Sequence, residues 1–347
     1  MEQERGLPEV RHRVICSLAL LSAFAALLVV AGCPPKDTEQ AGPAPGPIDT
    51  EAGPTQEAKW KVGFSNATYE DPWRQVQNAE MELAAKKHPE IDLEIHDGEN
   101  KNDRQIETVK SFLQQGVDLL IISPREADAL TSVVKEAYEK IPVIVIDRNI
   151  NEPAYTCFIG GNNVKIGEAA ANLVVDHFGD KPAKIVEIEG IQDATATIDR
   201  KRGFEEVIAE HANLEIIYDQ PGDYKRAPAQ EVMTAALQAN QQIDCVYAHN
   251  DEMALGAYQA AKQVGREKEM IIIGIDAVQT EAIKAVMDGK LYATYFYPTC
   301  GKDAIETALK ILKGEDVPKG IELKTTEITK ENAADFYDPN SELVIME

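Results

Sequence analysis

From residue 59 onward, uninterrupted apolar runs alternate with amphipathic segments, and the two periods predict the elements. Runs of Val, Ile and Leu without alternation describe strands covered on both faces, the habit of parallel sheets. A first set of strands is expected at Trp60–Ser65, Ile91–Ile95, Val117–Ser123, Pro142–Asp147 and Tyr155–Ile159. A second is expected at Lys184–Glu189, Leu214–Tyr218, Ile243–Ala248, Met270–Asp276 and Leu291–Tyr297. Helices fall between them: Asp71-Pro72 supplies an N-cap and a first-turn proline, with Val76, Ala79 and Leu83 following at helical spacing. Gly116, Gly265, Gly289 and Gly314 are helix stops. The expected fold is α/β: two similar doubly wound lobes, five strands each, helices on both faces.

Three apolar runs end on polar signatures: Asp147-Arg148, Asn250-Asp251 and Asp276. Ligands of open α/β sheets bind beyond the carboxyl ends of their strands, so these groups describe one pocket. Asp147 and Arg148 side by side suit neighbouring sugar hydroxyls; the alternative is a local ion pair. Asn250 and Asp276 end their strands in the same way, whereas Asp251 reads as the cap of the following helix. Trp73-Arg74 opens a helix after a strand end, where an indole could stack on a sugar ring and a guanidinium could donate to its oxygens. The competing reading buries Trp73 and solvates Arg74. Arg200 sits at a helix start, where the dipole disfavours a cation unless it serves a partner.

The first 33 residues set the compartment. Arg11, His12 and Arg13 precede a small and apolar stretch from Leu18 to Ala31 that ends at Gly32-Cys33. A basic start, this apolar length and a small-residue cleavage site make a secretory signal; a spanning helix needs about 20 apolar residues. Val30-Ala31-Gly32-Cys33 resembles the lipobox of bacterial lipoproteins, which makes Cys33 the lipidated residue; a single uncleaved anchor is the alternative. Residues 34–57 hold six Pro and three Gly among 24, a composition that buries no core and stays extended.

The chain carries 59 acidic against 35 Lys and Arg residues, a net charge of −24, which repels nucleic acid and anionic lipid. Cys157, Cys245 and Cys300 are far apart, without CxxC or Cys/His spacing, so buried small hydrophobes are expected rather than a disulfide or metal site. The six His show no HExxH pattern. An enzyme needs a nucleophile with a base, a metal cluster or paired carboxylates. Asp147 and Asp276 could formally pair as in glycoside hydrolysis, yet each is explained as a hydrogen-bond acceptor. Gly160-Gly161-Asn162-Asn163 does not match GxGxxG. No catalytic residue, metal or cofactor is assigned.

Ile146-Asp-Arg, Ala248-His-Asn-Asp-Glu-Met-Ala-Leu-Gly-Ala, Gly274-Ile-Asp and Met287-Asp-Gly-Lys-Leu together resemble the periplasmic sugar-binding proteins of the ribose/galactose class. Val62-Gly-Phe-Ser, Pro72-Trp-Arg and Ile198-Asp-Arg-Lys-Arg-Gly-Phe are most similar to the galactofuranose-binding branch. The resemblance implies sugar hydrogen bonds from Asp147, Arg148, Arg200, Asn250 and Asp276, with Trp73 on the ring and Tyr224 bordering the pocket. Phe296 and Ile275 depart from the ribose binders and argue against ribose itself. The resemblance also implies a hinge of three crossovers, near Gly161–Asn162, Phe296–Tyr297 and Thr325–Thr326.

The implied domains are a signal at 1–32, the lipidated Cys and linker at 33–58, a first lobe at 59–161 plus 297–324, and a second at 162–296 plus 325–347. The implied partners are a monosaccharide, an ABC permease with its ATPase, and a membrane through the lipid. A monomer outside the cytoplasm is expected, delivering sugar for import. The alternative is a sensor that presents its closed form to a chemotaxis or histidine-kinase receptor.

Overall fold

The computed structural model describes residues 60–344. The proposed signal, Cys33 and the linker lie outside the described residues. Chain order begins β1 (Trp60–Asn66), α1 (Pro72–Ala85), β2 (Ile91–Asp97), α2 (Asn102–Gln115), β3 (Leu119–Ile122), α3 (Ala127–Tyr138), β4 (Val143–Ile146) and β5 (Cys157–Gly161). It continues with α4 (Asn163–Phe178), β6 (Ala183–Glu189), α5 (Thr195–Ile208), β7 (Leu214–Pro221), α6 (Arg226–Ala239), β8 (Cys245–Ala248), α7 (Asp251–Gln263) and β9 (Ile271–Ile273). Last come α8 (Thr280–Met287), β10 (Ala293–Phe296), α9 (Gly301–Leu312), β11 (Gly320–Leu323), β12 (Thr326–Thr329) and a 3-10 turn (Ala333–Phe336).

Two six-stranded sheets result, ordered β2-β1-β3-β4-β5-β11 and β7-β6-β8-β9-β10-β12. The first is parallel throughout; in the second only β12 runs antiparallel, pairing Phe296 with Thr326. The expected ten strands all form, and the expectation of five per lobe is corrected to six. β11 and β12 escaped because each is a four-residue edge strand whose Glu and Thr leave no apolar run.

Period-two alternation divides each sheet between two cores. Leu119 and Ile121 of β3 pack with Met81 of α1 and Ile305 of α9. Leu120 and Ile122 of the same strand face Phe112 of α2 and Val134 of α3. Sheet two repeats this: Cys245 and Tyr247 of β8 join α4 and α5 on one side, while Val246 and Ala248 join α6 and α7 on the other. Burying each such aliphatic side chain stabilises the fold by about 1.5–3 kcal/mol. The three cysteines are free and buried within these layers, and burial pushes the Cys157 thiol up to about 11.

The chain passes between sheets three times: after β5, between β10 and α9, and between β11 and β12. These passages lie side by side. A Cβ on Gly161 would sit 2.6 Å from the Tyr297 ring and 3.3 Å from Thr325 Cγ2, so only glycine admits the contact.

Candidate functional site

The carboxyl ends of both sheets converge on one small cavity. Trp73, Arg74, Asp147, Arg148, Arg200, Tyr224, Asn250 and Asp276, the eight residues anticipated, all line it, together with Asp71, Ala196 and Tyr297.

At the end of β4, Asp147 takes a left-handed backbone (φ 64). Its N–H donates to the Ile159 carbonyl at 2.9 Å, which holds the bend in place. For a non-glycine residue that conformation costs about 1–3 kcal/mol and persists only when the surroundings impose it. Arg74, 1% exposed, donates from Nη2 to Asp147 Oδ2 at 2.7 Å. Its Nη1 is shared among Asn66, Gln77 and Ser123. The free-donor role expected of Arg74 is therefore largely taken up inside the protein, and the residue acts as a clamp on Asp147. Asp71 caps α1 by accepting from the Arg74 N–H at 2.8 Å and faces Arg74 Nε at 3.8 Å. Burial raises its pKa, against the lowering pull of Arg74.

Arg148 is also buried, donating from Nη1 to the Arg125 carbonyl at 3.1 Å and lying 5.2 Å over the Tyr224 ring. Its Nε has no hydrogen-bond partner although it is shut away from solvent. Asp147 Oδ2 stands 3.8 Å from it, an ion-pair contact beyond hydrogen-bonding reach, and a buried N–H left without a hydrogen bond costs about 1–3 kcal/mol.

The second sheet provides the opposite wall. Arg200 donates from Nε to Asn163 Oδ1 at 2.9 Å and from Nη1 to the His249 carbonyl, with its guanidinium 4.7 Å over the Tyr297 ring. Asp276 also has a positive φ, 121 against the 64 of Asp147. Its nearest cation, Arg200 Nη1, is 4.0 Å away. Burial drives the Asp276 pKa well above the carboxylate range, only partly opposed by Arg200. Tyr224 closes one side, its hydroxyl 2.6 Å from Thr197 Oγ1. Gly190 makes room for it, since a Cβ there would lie 2.1 Å from the ring.

The expectation that Asp251 caps the following helix is corrected. Asn250 is the cap of α7, its Oδ1 accepting from the Met253 N–H at 3.0 Å. Its Nδ2 donates to the Tyr224 carbonyl at 3.3 Å, still at the cavity wall. Asp251 turns inward instead, accepting from Thr294 Oγ1 at 2.6 Å and the Ala277 N–H at 2.7 Å. Trp73 is buried, 6% exposed within a core cluster, and it also lines the cavity. Its Nε1 donates to the Tyr297 carbonyl at 2.9 Å, and the two rings lie 5.6 Å apart. Sequence reasoning missed Tyr297 and Asp71. The strand-end rule that found Asp147 also covers Tyr297, one residue past β10. Asp71 was hidden by its capping role, which uses one oxygen and leaves the other facing the cavity.

Three Asp and three Arg balance formally around a cavity of about 30 Å³, room for about one water, so a larger guest enters only when the walls move apart. The arrangement suits a small, neutral, hydroxyl-rich molecule, whose oxygens can both donate to carboxylates and accept from guanidinium groups, between aromatic walls. A chamber of about 200 Å³ is lined in part by Asp71, Arg148 and Tyr224. At its rim Lys225 of one lobe meets Glu70 of the other at 3.1 Å, and deeper in the cleft the Asn149 N–H donates to Thr195 Oγ1 at 2.9 Å.

Comparison with known proteins gives the same fold. Over 272 residues the chain is 35% identical to the galactofuranose-binding protein YtfQ of Escherichia coli (strain K12), covering 76% of this chain and 85% of that protein. It is 35% identical over 266 residues to the ribose import binding protein RbsB of Bacillus subtilis (strain 168), with the same coverage of 76% and 85%. Among solved structures, the fructose-binding periplasmic domain of the hybrid two-component system BT1754 superposes with a TM-score of 0.77 at 37% identity, covering 80% of this chain and 92% of that one. The model of the periplasmic binding protein domain matches residues 62–316. The chain belongs to the periplasmic binding protein domain family, with the two-lobed type I fold of binding proteins rather than enzymes.

Proposed function

We propose that this chain captures a neutral monosaccharide between its lobes and delivers it to an ABC importer. The observation that carries the reading is the cavity itself: three Arg and three Asp from both sheets, with Arg148 Nε buried and without a hydrogen bond. The relatives named for galactofuranose and ribose import support it. In this reading Arg148, Asp147, Arg200, Asn250 and Asp276 hydrogen-bond the sugar, Trp73 and Tyr224 pack against it, and Arg74 positions Asp147.

The lobes are 59–161 plus 297–324 and 162–296 plus 325–347, and the three passages gathered at Gly161, Tyr297 and Thr325 form the hinge. Closure brings Arg200, Asn250 and Asp276 onto a ligand already held by the first lobe. The permease then docks on the closed form, and the open–closed balance follows the ligand's differential contacts with the second lobe. Cys33 carries the lipid, residues 34–58 form the stalk, and the folded part works as a monomer outside the cytoplasm.

A thermal-shift screen of the purified protein against ribose, fructose, arabinose, galactose, galactofuranosides and myo-inositol tests the reading. A rise in melting temperature with at least one neutral sugar is expected, and no shift with any of them would remove the sugar assignment. A second reading, a sensor that hands its closed form to a receptor kinase, is favoured by the likeness to the two-component domain. Neighbouring genes decide between them: permease and ATPase genes for transport, a histidine kinase for sensing.

A further inference from the structure

Behind the second-lobe wall lies a buried pair that no ligand contact explains. His249 and Glu187 are both 0% exposed, with His249 Nε2 and Glu187 Oε1 2.9 Å apart. The Gly190 N–H donates to His249 Nδ1 at 3.3 Å, which makes Nδ1 the acceptor and places the ring proton on Nε2, directed at Glu187. Three cavity residues depend on this ring. Gly190 seats the Tyr224 ring against its bare α-carbon, the His249 carbonyl accepts from Arg200 Nη1, and Asn250 follows His249 in the chain.

We propose that His249 and Glu187 form a positioning dyad that fixes Arg200, Tyr224 and Asn250 for the ligand, the ring holding Gly190 on one side and Glu187 on the other. For Arg200 and Tyr224 as ligand contacts the proposal rests on the sugar-binding reading; the Gly190 contact stands apart from it. Glu187 Oε2 and the Tyr247 hydroxyl are both buried without hydrogen-bond partners. Burial pushes the Glu187 pKa well up and the His249 pKa well down. Lys201, Glu189, Glu205 and Asp219 also act on Glu187, while Arg200 and Lys201 act on His249. Both shifts favour the uncharged forms, which avoid an isolated charge in the core.

Two conservative variants separate positioning from bulk packing. His249→Asn keeps an oxygen near the Nδ1 position for Gly190, whereas His249→Gln reaches Glu187 but loses the Gly190 acceptor. With D-ribose, D-galactose and D-fructose as calorimetric probes, His249→Asn should stay within about threefold of wild-type affinity and His249→Gln should lose tenfold or more. That tenfold corresponds to about 1.4 kcal/mol. In amide NMR, the Gly190 proton should keep its shift and slow exchange in His249→Asn and lose both in His249→Gln. Glu187→Leu, which removes the acceptor of His249 Nε2–H, should weaken binding and speed exchange of the Gly190 amide, and Glu187→Gln, which keeps an acceptor, should restore both toward wild type. Equal effects of the two His249 variants, or an unchanged Gly190 amide in His249→Gln, would overturn the proposal. If none of the three sugars binds the wild type, the ligand reading is at fault for them and the Gly190 amide still decides the dyad.

Discussion

Two Arg–Asp pairs face each other across the cavity, each with its aspartate just past a strand end and at positive φ. In the first lobe Arg74 and Asp147 touch at 2.7 Å, with Ser123, Asn66 and Gln77 completing the contact. In the second, Arg200 and Asp276 stand 4.0 Å apart, and Arg200 is turned toward Asn163 and the His249 carbonyl. The first pair is satisfied by the protein alone. The second leaves a buried carboxyl without a close partner, a role a ligand hydroxyl can fill. One wall is therefore built for stability and the other for closure on a guest.

Breaking each pair should show up in a different measurement. Arg74→Ala strands the buried Asp147 carboxylate, and should cost about 3–5 kcal/mol of stability in denaturant unfolding. Arg200→Ala should cost about 3 kcal/mol in sugar binding, on the order of a hundredfold in Kd by calorimetry, with a smaller loss of stability. Asp276→Asn sharpens the contrast. Removing a carboxyl whose pKa burial has raised, and placing Asn where the left-handed region is better tolerated, should raise the melting temperature while weakening binding roughly tenfold. Equal stability losses in Arg74→Ala and Asp276→Asn would erase the distinction between the walls.

Asp251 gives a pH test within the second lobe. Burial raises its pKa to about 7, partly opposed by Thr294 and the Ala277 N–H. Because the folded value exceeds the unfolded one, the folded state holds the extra proton, and stability falls as pH rises from about 4 to 7. Glu80, raised to about 7 mainly by burial, adds to the same slope. Asp251→Asn, which cannot ionise, should flatten that slope in melting curves across the window. The smallest effect expected is that of Tyr297→Phe, which removes the acceptor of Asn163 Nδ2 at 3.1 Å. It should weaken binding by about 1 kcal/mol through a loosened Asn163–Arg200 contact.

What the sequence disclosed follows from how strongly burial constrains each segment. β3, β4 and β8 are buried at every position, so their apolar runs announce them. β11 and β12 lie at sheet edges, where one flank is free and Glu or Thr is admitted, so no periodicity marks them. Most of the cavity residues were legible because a strand end or helix start fixes where a side chain emerges; Tyr224 came only through the resemblance, and Arg200 lies in the second turn of α5 rather than at its start. That Asn250 rather than Asp251 caps α7 was not legible, since both residue types cap helices well. The choice between them rests on Thr294 and Ala277, more than 20 residues away in the chain. Asp71 was obscured in the same way, a local explanation concealing a second, distant one.

Calorimetric titration of the purified protein with the panel of neutral sugars tests the central claim most directly. The account predicts saturable heat with at least one monosaccharide at about micromolar strength, near −8 kcal/mol, and loss of that heat in Arg200→Ala. No heat from any neutral sugar, or full wild-type affinity in Arg200→Ala, would contradict it.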